Sequence, residues 1–274
     1  MSEYRKIIRS GNVVEVYSYE KAPKREGRPR AKSKHRPREA PDDGRLPDIT
    51  RKREDNIKRC KQRFVRLVRS NTGRADTNAL ITLTYAAIVD IETATRHFNQ
   101  FTGLLRRTLG TDFRYIGVPE FQERGAVHFH ILYWGLPRGV IDYEKPYWKR
   151  EEDIGQMDKI ERGTRFIQNC WAYGYVDCIP TDNSEKLAGY LAKYMSKAMY
   201  DERLLRKRAY YYSRNIYRPD SSTFGPLVNY MSAELKEKAT LITDRDFDTK
   251  WLGRANYKRY ELVDEKPDND SMQP

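Results

Sequence analysis

Two histidines one residue apart and two tyrosines four residues apart are the positions in this sequence best suited to chemistry. His128 and His130 lie in Ala126-Val-His-Phe-His-Ile-Leu-Tyr-Trp134, an apolar, β-branched and aromatic run that predicts a strand. The two-residue period of a strand puts both imidazoles on one face, roughly 7 Å apart at Cα, close enough to share a cation, with Phe129 turned to the opposite face. Glu120 lies on the preceding predicted strand and can reach the same face across a hairpin. Two imidazoles and a carboxylate leave coordination positions open for water and a phosphate oxygen. Glu123 is a weaker candidate, because it falls in the turn. The spacing alone also allows a plain reading, in which the histidines are a surface pair and Glu120 an exposed carboxylate.

The second group is Gly189-Tyr190-Leu-Ala-Lys193-Tyr194-Met-Ser-Lys197. On a helix Tyr190 and Tyr194 share a face, about 6 Å apart at Cβ, and Lys197 follows within the next turn. A phenol with a pKa of about 10 ionises far more readily than a sugar alcohol and leaves readily when a 3′-hydroxyl attacks. Lys193 and Lys197 can offset charge developing on a phosphate or phenolate. Tyrosines that merely pack, with wet hydroxyls, are the ordinary alternative on an amphipathic helix.

These groups need a frame, and the hydrophobic pattern supplies one. Ala79 to Tyr85 reads as a buried strand. Asp90 caps a helix to about Leu109, with Ile91, Ala94, Phe98, Phe101 and Leu105 on one face. Phe113–Phe121 and Ala126–Trp134 read as a hairpin turning at Gly125. A helix over Ile160–Trp171 and a strand over Gly174–Ile179 follow a Pro- and Gly-marked loop. Asp182-Asn-Ser-Glu185 has the form of a capping box opening a helix to about Tyr200. The order β-α-β-β-α-β-α predicts an α+β fold, an antiparallel sheet with helices on one face.

The flanks differ in character. Residues 21–63 hold 17 Lys or Arg against 7 Asp or Glu and so carry +10 of the formal +13. Residues 1–50 are expected to be a basic, largely unpacked arm, with a short strand conceivable near residues 12–18. Residues 51–78 follow as a basic amphipathic helix with Ile57, Cys60, Phe64, Leu67 and Val68 inward. Residues 79–220 form the folded domain, and residues 221–274 an extension ending in an acidic, frayed tail from Glu261. A cationic arm without interleaved apolar residues suits a polyanion better than a lipid surface. Tyr210 to Arg218 interleaves aromatics with arginines, which makes Tyr212, Arg214 and Arg218 candidates for single-stranded DNA contact. The three cysteines form no CxxC pair, which argues against a disulfide framework or a closed zinc site. No stretch resembles a signal peptide or a membrane span, so a soluble cytoplasmic protein is expected. There is no GxxxxGK[ST] motif, so no nucleotide cofactor is expected.

In order along the chain, Thr82-Leu83-Thr84, Glu120, His128-Phe129-His130 and Tyr190-x-x-Lys193-Tyr194-x-x-Lys197 resemble the HUH endonuclease superfamily. More narrowly, they resemble the two-tyrosine replication initiators of microviruses, filamentous phages and related plasmids. The resemblance covers about residues 79–200. It implies an RRM- or palm-like HUH core in which the ligand face of the sheet confronts the tyrosine helix. It further implies a metal site of His128, His130 and Glu120 using Mg²⁺ or Mn²⁺, and a nucleophile at Tyr190 or Tyr194. The activity expected is metal-dependent nicking and rejoining of origin DNA through a 5′-phosphotyrosine in rolling-circle replication. A host helicase and polymerase would be partners, in the cytoplasm of the host cell if a phage encodes the chain. Relaxases and transposases share this chemistry, but in relaxases the tyrosine comes first in the chain. A non-catalytic basic nucleic-acid-binding protein is the alternative of a different class.

Overall fold

The computed structural model describes residues 4–23, 49–137, 140, 162–181, 186–204 and 207–262. They fall into two compact units: Cys60 to Pro219 form the larger, and the chain segments on either side form the smaller.

The larger unit contains the second half of α1 (Ile49–Asn71), then β3 (Asn78–Tyr85), α2 (Ile91–Leu109), β4 (Arg114–Phe121), β5 (Val127–Trp134), α3 (Arg162–Cys170), β6 (Gly174–Pro180), α4 (Lys186–Tyr200) and β7 (Tyr211–Tyr212). Here β1 and β2 are the smaller unit's strands Tyr4–Ser10 and Val13–Tyr19. The sheet order is β6-β3-β5-β4-β7, antiparallel throughout. This is the α+β arrangement expected, with the predicted element order from β3 to α4. Asp90 caps α2 by accepting from Thr93 N at 2.8 Å, and Ile91, Ala94, Phe98, Phe101 and Leu105 are buried. Gly125 takes φ 88° in the β4–β5 turn, a backbone conformation that a Cβ disfavours.

The helices do not share one face. Alternation along β5 sends Phe129 one way and His130 the other. Phe129 stacks on Phe98 of α2 at 4.7 Å between centroids, whereas His130 stacks on Tyr194 of α4 at 4.1 Å. The sheet is therefore a central layer, with α2 and α3 on one side and α4 on the other. The element pattern could not distinguish this from a one-sided arrangement, because the ligand side is only partly apolar. The expected capping box at residues 182–185 lies outside the described residues.

The smaller unit overturns part of the expected arm. β1 and β2 form a hairpin closed by Gly11-Asn12, with Ser10 opposite Val13 and Gly11 at φ 61°. A two-residue Gly-Asn loop between alternating strands is a hairpin signal, hidden here by the charges of Tyr-Arg-Lys-Ile-Ile-Arg-Ser. The supposed C-terminal extension supplies β8 (Asp220–Ser222), α5 (Gly225–Lys238), β9 (Ala239–Thr249) and β10 (Gly253–Leu262). Glu261 belongs to β10 and not to a frayed tail. The sheet order is β8-β1-β2-β10-β9. α5 packs Val228 and Leu235 on Ile7, Val14 and Val16 of one sheet face. The central part of the predicted arm, residues 24–48, and the tail from residue 263 lie outside the described residues.

Candidate nuclease site

The ligand face of the larger sheet is laid out by strand register. Glu120 pairs with His128 and Val118 with His130 across the hairpin. Thr82 and Thr84 of β3 pair with His130 and His128, and Asp177 and Tyr175 of β6 pair with those threonines. Directly opposed residues point to the same face, so all these side chains share it.

α4 lies over the β4 side of that face because Leu191, Ala192, Met195 and Ala198 are buried against the core. Their spacing fixes the rotation of the helix, and the rotation decides what the tyrosines meet. Tyr194 is half-buried and its ring lies on the His130 imidazole, while Tyr190 is 45% exposed. The two hydroxyls hydrogen-bond at 2.8 Å, with the rings edge to face at 5.0 Å. Tyr194 thus meets His130 directly, and Tyr190 joins it through the Tyr194 hydroxyl. Burial, and then the Tyr190 hydroxyl, push the Tyr194 phenol up to about 12.

Polar contacts bind the cluster together. His130 Nε2 bonds Glu120 Oε2 at 2.8 Å, and Lys197 Nζ donates to Glu120 Oε1 at 2.5 Å. Burial would raise the Glu120 carboxyl, but the bonds from Lys197 and His130 outweigh it and hold the carboxyl below its ordinary value. Burial lowers both imidazoles: His130 below the usual range, and His128, helped by its neighbour His130, to about 4. Both rings are therefore neutral near pH 7, the form that offers a lone pair to a metal.

The donor chemistry fits a divalent cation, though the side chains do not converge on one point. The His128 and His130 centroids are 6.2 Å apart and tilted by 58°, and Glu120 is engaged by His130 and Lys197. Among the described residues no three His, Cys, Asp or Glu side chains stand together as a ready-made cation site. His128 Nε2 is nevertheless buried with no hydrogen-bond partner among those residues, an unmet demand that a ligand would satisfy. Thr82 Oγ1 lies 3.3 Å from His130 Nδ1. With Nε2–H donating to the Glu120 carboxylate, Nδ1 accepts from the Thr82 hydroxyl; a cation at Nε2 would need the other tautomer, in which Nδ1–H donates to Thr82.

Lys193 is exposed and makes no such contact with Glu120; Lys197 fills that role. Of the DNA candidates, Tyr212 is 43% exposed, and its pairing with Ile116 puts it on the ligand face. Arg214 and Arg218 are exposed. Their neighbours turn out to be structural. Tyr210 packs on Phe64, Tyr211 bonds Thr95 at 2.8 Å, and Tyr217 lies between the guanidinium groups of Arg74 and Arg114 at 4.3 and 4.5 Å. Sequence reasoning predicted β6 as a strand but overlooked the side chains it adds to this face, where Tyr175 is 72% exposed and burial raises the Asp177 carboxyl. The two-residue alternation of Tyr175-Val-Asp-Cys-Ile179 was the available signal.

Residues 78–199 match the family described as replication-associated protein ORF2. The match ends within one residue of the tyrosine helix's last position and spans every ligand candidate. It supports a replication-initiation role, and hence DNA as a partner. No curated protein and no solved structure is significantly similar to the chain. No helix among the described residues is long and apolar enough to cross a membrane.

Proposed function

We infer that the larger unit is the nuclease of a rolling-circle initiator, cutting one DNA strand with a tyrosine and retaining the new 5′ end. The observation that carries this reading is the stack of Tyr194 on His130 at 4.1 Å, because it brings a phenol to the edge of the donor cluster. Glu120, His128 and His130 would hold Mg²⁺ or Mn²⁺, which supplies Lewis-acid polarisation of a bound phosphate. Tyr190 or Tyr194 attacks phosphorus. The new bond is phenolic O–P, the bond that breaks is P–O3′, and the departing 3′-oxygen gains a proton as the phenol loses one. The phosphodiester's energy is retained in the phosphotyrosine, so rejoining by a 3′-hydroxyl needs no nucleotide cofactor.

Two phenols within hydrogen-bonding distance suit two successive transfers. One holds the displaced strand while the other attacks the regenerated origin, and the freed 3′-hydroxyl then closes the circle. Lys197 would have two uses, holding Glu120 in place at rest and countering phosphate charge when DNA is bound. Tyr212, Arg214 and Arg218 would contact the substrate strand. A host helicase and polymerase would provide unwinding and synthesis.

The test is a labelled single-stranded origin oligonucleotide incubated with Mn²⁺ and resolved on a denaturing gel. A covalent adduct is expected, with mass spectrometry locating it on Tyr190 or Tyr194. Retained cleavage in the Tyr190→Phe/Tyr194→Phe double variant would refute the tyrosine mechanism. No adduct with any origin sequence would favour a binding protein.

A further inference from the structure

We propose that the face of the smaller sheet opposite α5 is a second binding surface for single-stranded DNA. It is built from residues 4–19 and 243–257, outside the matched residues 78–199, and it stands independently of the nicking reaction.

The alternation in β9 shows how the two faces are sorted. In Asp244-Arg-Asp-Phe-Asp248 every second residue is acidic. The three aspartates fall on the α5 face, where the Asn256 amide donates to Asp244 at 2.8 Å and to Asp246 at 2.9 Å. Arg245 and Phe247 fall on the other face. Register then aligns two rows there. Tyr4, Tyr19, Ala255 and Phe247 lie side by side across four strands, and Lys6, Tyr17, Tyr257 and Arg245 form the next row. One row is rings around a small residue. The other has two rings with a cation at each end.

The rings hold each other in place. Tyr4 and Tyr19 centroids are 5.9 Å apart, Tyr17 and Tyr19 lie parallel within 6° at 6.3 Å, and Tyr17 and Tyr257 are 4.9 Å apart. Arg245 covers the Tyr257 ring at 4.9 Å. Phe247, on the outer strand, is 38% exposed. The acid in the adjoining row, Glu15, is buried and accepts from the Tyr257 hydroxyl at 2.9 Å, so the two rows present Lys6 and Arg245 without an acidic side chain of their own.

The rings are tilted, by 37° between Tyr4 and Tyr19 and 51° between Tyr17 and Tyr257, and Tyr257 is buried. Half-buried Tyr4, Tyr17 and Tyr19 and exposed Phe247 are therefore the rings that unpaired bases would reach, with cations beside them for the phosphates. Every base has a π-face, so stacking is sequence-tolerant, and the cations follow the backbone. A duplex keeps its bases stacked on one another and could use only the cations. An apolar protein partner would gain nothing from the flanking charges.

Binding is measured by fluorescence anisotropy of labelled oligo-dT, on the full chain carrying Tyr190→Phe/Tyr194→Phe so that no covalent capture contributes. Adding Tyr19→Leu/Phe247→Leu should weaken binding on the order of tenfold per ring. Adding Lys6→Gln/Arg245→Gln should lower the slope of log affinity against log salt by about 1.4, or ~0.7 per lost phosphate contact. Unchanged affinity and slope in both would overturn the proposal, as would equal effects on a duplex of the same length. If the ring variant loses its circular dichroism spectrum, the charge variant and photocrosslinking of 5-bromodeoxyuridine oligonucleotides decide. Crosslinks within residues 4–19 or 243–257 support the surface, and crosslinks confined to residues 60–219 overturn it. Failure of the nicking assay leaves these binding measurements unaffected, so the two readings fail separately.

Discussion

The contact of Lys197 with Glu120 sets up a competition that can be measured. For Glu120 to bind a cation it must release Lys197 Nζ, now 2.5 Å away, whose side chain is 67% exposed while that of Glu120 is 12% exposed. Exposed ion pairs are worth ~0.2–1 kcal/mol, and the shielded carboxylate places this one toward the upper end. Replacing Lys197 by Met keeps an unbranched stem and deletes the charge. Mn²⁺ should then bind about fivefold more tightly, since ~1 kcal/mol is roughly a factor of five. Adduct formation should fall in the same variant, because the group that would counter phosphate charge is gone. Isothermal titration with Mn²⁺ on the wild type and on Lys197→Met reads the first effect, and the denaturing gel reads the second. Mn²⁺ affinity that is unchanged or weaker in a folded Lys197→Met protein would show that Glu120 is not a ligand contested by Lys197.

Other outcomes follow from the same geometry. Thr82→Val removes the hydroxyl beside His130 Nδ1 and should cost about 10- to 100-fold in Mn²⁺ affinity by titration, as loss of an outer-shell partner does. Leu191→Ala, at a fully buried position of α4, should cost ~3–5 kcal/mol in urea unfolding and slow adduct formation by loosening the tyrosine helix. Burial and the Glu15 carboxylate push Tyr257 up to about 12. A phenol whose value is raised on folding stabilises fully below its unfolded value of about 10. That contribution is lost between pH 10 and 12, so Tyr257→Phe should flatten the fall in thermal stability across that window. Deleting residues 21–47 should weaken oligonucleotide binding chiefly at low salt while adduct formation at saturating DNA persists; loss of the adduct would place that segment in the site.

The larger unit was legible because its chemistry and its packing use the same periods. A two-residue repeat put His128 and His130 together, and a four-residue repeat put Tyr190 above Tyr194. Buried Phe129 and Leu191 anchored the strand and the helix that carry them. The sidedness of the layers was not legible, because Thr82, Glu120 and His130 make the α4 side look like a solvated face. The smaller unit was missed for a different reason. Its strands carry Arg5, Lys6, Glu15 and the Asp244–Asp248 alternation, and its core is essentially one helix on one sheet face. Charge density then reads as disorder unless the Gly11-Asn12 loop is weighed. Pairing between β2 and β10, more than 230 residues apart, leaves no local trace at all.

That long-range pairing bears on how the chain matures. Residues 13–19 emerge from the ribosome early, yet their neighbour in the sheet, residues 253–262, follows only after roughly 10 to 50 s of elongation at ~5–20 residues per second. Through that interval the first hairpin is a two-stranded ribbon with an open edge, marginal by itself in water. Cys60 to Pro219 need none of those late residues for their sheet, so the tyrosine helix can be seated while residues 13–19 still await their neighbour.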